Sequence, residues 1–200
     1  MKKLTATFCL TVALLFGCTG VCKSADFQRG LTAHKSGDYA IALREWKPLA
    51  KQGDAAAQFN LGVMYEKGQG VPQDDKTAVK WYKLAAKQGH ANGQSNLGVM
   101  YRDGRGVPQD YKTAVKWYKL AAEQGLNFAQ HNLGTMYYSG QGVLKNYVSA
   151  HMWFNLGSTS GKSKNASKNR DIIAKLMTPA QIAAAQKLAR ECIRKKYKGC

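Results

Sequence analysis

An all-α solenoid of helix-turn-helix units, closed by a C-terminal capping helix, is the fold this 200-residue chain predicts. Three observations carry the prediction. Residues 54–89 and 90–125 agree at 27 of 36 positions, and 126–161 is a looser third copy. Apolar residues within each copy recur at helical spacing. Glycines and an acidic cap residue divide each copy at the same places. A hairpin with one apolar face cannot cover that face alone, so the copies must stack.

The agreement comes in blocks. NLGVMY at 60–65 returns at 96–101, GVPQD at 70–74 returns at 106–110, and TAVKWYKLAA at 77–86 returns at 113–122. The third copy keeps Asn132, Leu133, Gly134, Met136, Tyr137, Gly140, Gly142, Val143, Trp153, Leu156 and Gly161. In the first copy, Ala57, Leu61, Met64 and Tyr65 form one helical stripe. Gly68 and Gly70 end that helix, Pro72 holds the loop extended, and Asp74 caps the next helix. Ala78, Trp81, Tyr82 and Ala85 form the second stripe, and Gly89 stops it. Gly62, Gly98 and Gly134 fall inside the first helices, where glycine costs about 1 kcal/mol against alanine. The repeated cost predicts close helix approach, with Trp81, Trp117 and Trp153 as the bulky counterparts and as core rather than a ligand platform.

The pattern Ala-x3-Leu-Gly-x-Met-Tyr, then Gly-x-Gly-Val, an Asp cap, Ala, Trp, Ala-Ala and a closing Gln-Gly resembles the Sel-one-like repeat. That family is a relative of the tetratricopeptide repeats with a longer loop inside each unit. The resemblance covers residues 26–161 and implies a right-handed α–α superhelix. The third copy departs from it. Leu144, Lys145 and Asn146 replace Pro-Gln-Asp, and Gly157-Ser158 replaces Ala-Ala.

Residues 1–24 resemble a secretory signal peptide: Lys2 and Lys3, an apolar run from Leu4 to Phe16, then small residues. The run is short for a bilayer span. Cleavage after Ser24 and after Gly20 both fit. Leu15-Phe16-Gly17-Cys18 resembles a lipobox, which would make the chain a lipoprotein through Cys18. Residues 26–53 read as a degenerate tetratricopeptide-like first unit with a Ser36-Gly37-Asp38 turn. There Trp46 takes the place of Trp81, and Pro48 is expected to kink the helix. The units 54–89, 90–125 and 126–161 follow. Within 162–200, KSKNASKNR at 162–170 reads as a linker or a frayed helix start. Asp171 to Met177 reads as a short helix burying Ile172, Ile173 and Leu176. Thr178, Pro179 and Gln181 announce the capping helix. Its apolar face is Ile182, Ala185, Leu188, Ala189 and Cys192.

Cys9, Cys18 and Cys22 belong to the leader, which leaves Cys192 and Cys200. An even remainder in an exported chain suggests one disulfide. The rival reading is a reactive thiol pair, at a spacing that is not a redox motif. The formal charge is +18, and removing the leader's three lysines leaves +15. Residues 162–200 carry eleven Lys/Arg against Asp171 and Glu191, and no acid lies between Glu123 and Asp171. Such a field draws anionic partners. Export argues against nucleic acid and leaves phospholipid, lipopolysaccharide or an acidic protein, beside a plain basic surface.

No catalytic residue, metal site or cofactor is read from the chain. His34, His90, His131 and His151 occupy unrelated repeat positions. Asp74-Asp75 contains a cap, and Asp75 becomes Tyr111 in the next copy. Gly104-Arg105-Gly106 follows no strand, so it reads as a loop and not a phosphate cradle. Cysteine-rich members of the resembled family are linked to β-lactam binding or hydrolysis. These repeats lack their cysteine pairs, so β-lactam or cell-wall amide hydrolysis stands only as the enzyme alternative.

By analogy with tetratricopeptide units, the concave groove is lined by Phe59, Asn60, Val63 and Glu66, then Ser95, Asn96, Val99 and Arg102, then His131, Asn132, Thr135 and Tyr138. Phe59/Ser95/His131 and Glu66/Arg102/Tyr138 vary between copies while the stripe residues do not. The constant Asn60, Asn96 and Asn132 have two readings. One is a ladder holding a peptide backbone, and the other is a bond to the neighbouring helix. The expectation is a non-enzymatic, periplasmic or secreted scaffold that binds a protein or peptide partner in the bacterial envelope. An anionic-surface binder is the further alternative.

Overall fold

A computed structural model describes residues 18–159 and 164–200, with side-chain environments from Phe27 onward. Among these residues the chain forms α1 (Cys18–Lys35), α2 (Tyr39–Lys51), α3 (Ala55–Lys67), α4 (Asp75–Lys87), α5 (Ala91–Asp103), α6 (Tyr111–Ala122), α7 (Asn127–Ser139), α8 (Tyr147–Ser158), α9 (Lys164–Ala174) and α10 (Pro179–Arg194), with no strand. The expected leader falls mostly on residues 1–17, outside the described residues. No described helix is long and apolar enough to cross a membrane.

Four hairpins stack in chain order, α1/α2, α3/α4, α5/α6 and α7/α8, each second helix resting on the first helix of the next unit. Local chemistry sets their ends. Asp38, Asp54, Asp74 and Asp110 accept backbone N–H groups at the starts of α2, α3, α4 and α6, as caps should. Gly68, Gly104 and Gly140 close α3, α5 and α7 in the left-handed conformation. α2 continues past Pro48 to Lys51.

The helix glycines mark the crossings, but their partners differ from the expected tryptophans. A Cβ on Gly62 would stand 2.5 Å from the Tyr82 ring, one on Gly98 2.7 Å from Tyr118, and one on Gly134 2.8 Å from Phe154. The residue after each tryptophan therefore fills the glycine notch. Trp81 and Trp117 are half-buried at the edges of two cores, and Trp153 is buried. The same geometry corrects the first unit. Trp46 meets Gly30, where a Cβ would stand 2.5 Å away, so Trp46 corresponds to Tyr82 and not to Trp81.

Two devices repeated along the stack join one unit to the next. Gln58, Gln94 and Gln130 are buried and donate to the carbonyls of Ala50, Ala86 and Ala122 at 3.0, 3.2 and 3.2 Å. The closing Gln88 and Gln124 then donate to Gln58 and Gln94, each at 2.8 Å. The second device is the Gly-x-Gly loop. A Cβ on Gly106 would overlap the Asp75 carbonyl and stand 2.8 Å from the Lys76 nitrogen. Gly142 lies just as close to the Tyr111 carbonyl, and Gly70 to Tyr39. The loop backbone thus rests on the start of the preceding unit's second helix, an approach only glycine allows.

The C-terminal segment departs from expectation. The stretch read as a linker or a frayed helix start is helical from Lys164, and the helix ends at Ala174 rather than Met177. Of its apolar residues, Ala166 and Ile173 are buried, while Ile172 and Leu176 are exposed. Both α9 and α10 pack against α8. α10 starts with the expected capping box of Thr178 and Gln181. It buries Ala185, Ala189 and Cys192, whereas Leu188 turns outward. Leu156 of α8 is fully buried, although its counterparts Leu84 and Leu120 are 44% and 45% exposed. Cys192 and Cys200 are joined by a disulfide. The tail turns back through Lys196 and Tyr197, both left-handed at φ 51° and 66°. This brings the Tyr197 ring against Gly125, where a Cβ would stand 3.1 Å away.

Candidate partner-binding face

Helices α3, α5 and α7, the first helices of three successive hairpins, carry the twelve residues singled out above. Phe59, Asn60, Val63, Glu66, Asn96, Val99, Arg102, His131 and Thr135 are half-buried, and Tyr138 is exposed. Ser95 and Asn132 are buried, at 1% and 5% exposure, so neither lines an open surface. Phe59 stacks on His90 with ring centroids 4.9 Å apart. His90 caps α5, accepting from the Gly93 nitrogen at 3.1 Å.

Where the second unit meets the third, the polar groups on this face satisfy one another. The buried Tyr82 hydroxyl donates to Glu66 Oε2 at 2.6 Å and accepts from Asn96 Nδ2 at 3.1 Å. Burial and the neighbouring Glu66 carboxylate push the phenol far above its ordinary pKa. Arg105 reaches back from the loop after α5. Its Nη1 donates to Glu66 Oε1 at 2.8 Å, and its Nε and Nη2 grip Asp75 at 3.1 and 2.7 Å. Asn96 thus follows the neighbouring-helix reading of the asparagine position.

One unit later the pattern breaks. Arg102 stands in the place of Glu66 and donates from Nε and Nη2 to Asp103 at 2.7 and 3.0 Å. The hydroxyl of Tyr118 and the Nδ2 of Asn132, counterparts of Tyr82 and Asn96, are buried without a hydrogen-bond partner among the described residues. Ser95 Oγ is in the same condition. Burial raises the Tyr118 pKa, opposed by the positive charge of Arg102. His131 lies beside these groups. Its ring packs 5.3 Å from Phe154, and its Nε2 is 3.1 Å from Asn169 Nδ2 of α9. Burial lowers its pKa, Asn132 opposes that shift, and Arg102 adds to it.

The face ends against α9. A cavity of about 280 Å³ opens between Thr135, Tyr138, Phe154, Asn169, Ile172 and Ile173. Lys145 Nζ sits 5.8 Å from the Tyr138 ring centre. No group of three or more metal-ligating side chains occurs among the described residues. His34 contacts Gln69, and His151 is buried with its Nδ1 unpartnered.

Two features escaped the sequence reading. Gln58, Gln94 and Gln130 are the same residue in every copy, a signal as plain as the asparagines. The ion-pairing of Arg105 had no such signal, because Gln69 and Gln141 occupy its place in the other copies.

A family model described as Sel1 repeat matches residues 55–90, 91–126 and 127–162. Among solved structures, a Sel1 repeat protein from Oxalobacter formigenes is similar at 29% identity and a TM-score of 0.65, over 83% of this chain and 75% of that one. A protective antigen of uropathogenic Escherichia coli strains, described as displaying an SLR fold, is similar at 29% identity and a TM-score of 0.61. That alignment covers 88% of this chain and 47% of the antigen, so the chain spans about half the antigen's length. No curated protein matches.

Proposed function

This chain belongs to the Sel1-repeat family, whose members are generally non-enzymatic scaffolds that mediate protein–protein interactions, and on that premise we propose that it is an exported scaffold holding a peptide segment of a partner protein in the bacterial envelope. The partner lies along the face of α3, α5 and α7. One observation carries this reading. The core stripe residues Leu61/Leu97/Leu133 and Met64/Met100/Met136 stay constant, while Phe59/Ser95/His131 and Glu66/Arg102/Tyr138 change on the same helices, all of them half-buried or exposed except the buried Ser95. A face under no demand but stacking has no reason to vary in chemistry while its neighbours do not. Export is supported by the Cys192–Cys200 disulfide, a bond that persists in oxidising compartments.

The test is affinity capture from an envelope extract with wild-type chain and with a Val63→Arg, Thr135→Arg variant, both shown helical by circular dichroism. A partner retained by the wild type and released by the variant supports the face. Equal retention refutes it.

A second reading has its own observation. Lys187, Arg190, Arg194, Lys195, Lys196 and Lys198 are all exposed on and just beyond α10. They would attract an anionic surface at low ionic strength. Sedimentation with anionic vesicles at low and high salt tests this, and no binding at low salt removes it.

A further inference from the structure

The stack contains its own control for the unsatisfied groups at Tyr118. At Tyr82 a carboxylate, Glu66, takes the phenol proton, and the amide of Asn96 completes the site. At the next step along the stack the phenol and the amide recur as Tyr118 and Asn132, both donors, both buried, and neither with an acceptor. The position that supplied the carboxylate now holds a cation, Arg102. Leaving two buried donors unpaired is costly, and the preceding unit shows that the fold readily provides the missing acceptor. Arg102 spends its Nε and Nη2 edge on Asp103, which leaves the Nη1 edge of the fork for a second carboxylate. The segment that supplies Asn132 brings no competing carboxylate, since no acid occurs between Glu123 and Asp171, and Asp103 is held by Arg102.

We propose that Arg102, Tyr118 and Asn132 form a carboxylate subsite that receives an Asp or Glu side chain of the bound peptide in the place Glu66 fills one unit earlier. The inference rests on the face described above as the peptide-binding face, and it adds the chemistry of one anchor. The donors are closed to water in the unliganded chain. The carboxylate therefore enters paired to Arg102, the Tyr118 hydroxyl donates to it, and the Asn132 amide donates to the phenol oxygen, as Asn96 does at Tyr82. The fourth unit has Phe154 where Tyr118 stands, so the subsite belongs to this one step of the stack.

The test uses variants taken from the chain's other units, which the fold already accommodates. Arg102→Glu reproduces Glu66, and Tyr118→Phe reproduces Phe154. A random linear decapeptide library displayed on phage is selected on the full wild-type chain and on each variant. Synthetic copies of the enriched peptides, with each acidic residue also changed to its amide, are measured by fluorescence anisotropy. The expected result is an acidic residue in the wild-type selection whose change to the amide weakens binding at least 10-fold. Arg102→Glu should abolish that preference and raise the melting temperature. Tyr118→Phe should weaken binding several-fold without lowering the melting temperature. Enriched peptides with no acid preference, or affinities unmoved by both variants, overturn the subsite and leave the peptide-binding face standing. A Tyr118→Phe melting temperature as depressed as that of Tyr82→Phe also overturns it, because the hydroxyl would then have an internal partner. Failure to enrich any peptide on the folded wild type overturns the subsite and the face together.

Discussion

Changing Gly106 to alanine should damage the stack far more than the same change at Gly89, although both residues are left-handed, at φ +68° and +83°. The backbone cost of alanine in that region is about 1–2 kcal/mol, partly offset by a stiffer unfolded chain. At Gly89 this is the whole effect, because a Cβ there would meet nothing within 4 Å. At Gly106 the Cβ would overlap the Asp75 carbonyl, which cannot rotate out of the way, so loop and helix must part by about an ångström. That movement strains the bonds from Arg105 to Asp75 and Glu66. The Arg105 side chain is 34% exposed, so these bonds contribute about 1 kcal/mol together rather than the value of a buried pair. Lost packing around Val107 adds about another. The totals are about 1 kcal/mol at Gly89 and about 3 kcal/mol at Gly106. Urea unfolding followed by far-ultraviolet circular dichroism measures both. Coincident midpoints would refute the claim that the loop glycine joins one unit to the next.

Tyr82→Phe should cost about 1–2 kcal/mol in the same assay, since it strips a partner from both Glu66 and Asn96. Gln94→Ala should cost about 2 kcal/mol, because it removes a buried bond to Ala86 and leaves Gln124 without its acceptor. Reducing the Cys192–Cys200 bond should lower stability by roughly 2.5 kcal/mol in the chain-entropy model, read as a lower melting temperature with reductant and a matching change in intact mass. Burial lowers the pKa of His90, His131 and His151 below the ordinary 6.5. Asp54 opposes the shift at His90, Arg102 adds to it at His131, and at His151 Arg170 adds while Asp171 opposes. The unfolded chain therefore takes up these protons first. Stability should be full above pH 6.5 and decline as pH falls below it, which urea midpoints at neutral and mildly acidic pH would show.

The hairpins could be read from residues because near-identical blocks expose their own periodicity. Gly68, Asp74 and Thr178 act where their chemistry says they must. Partner choice across a helix crossing could not be read in the same way. Trp81 and Tyr82 share one apolar stripe, and only the crossing angle decides which of them enters the Gly62 notch. The start of α9 stayed open between linker and frayed helix because KSKNASKNR has no apolar period. Ala166 is buried by docking on α8, a tertiary contact that leaves no local trace. On the proposed binding face, the asparagine position was visible as constant. Its two environments were not, because they depend on whether Glu66 or Arg102 stands across from it.

The grip of α9 and α10 on the last hairpin has a consequence for how this architecture changes length. The glutamine bonds and the Gly-x-Gly contacts each tie a unit to its immediate neighbour, and α9 and α10 cover α8. A further copy of the 36-residue block spliced in after Gly125 would meet residues 126–161 as its template does now, and on its other side would meet the template itself, with Arg102 and Tyr111 where Glu66 and Asp75 stand. Added blocks would lengthen the stack from within while α9 and α10 stay on the last hairpin, and each would extend the proposed recognition surface by one more step.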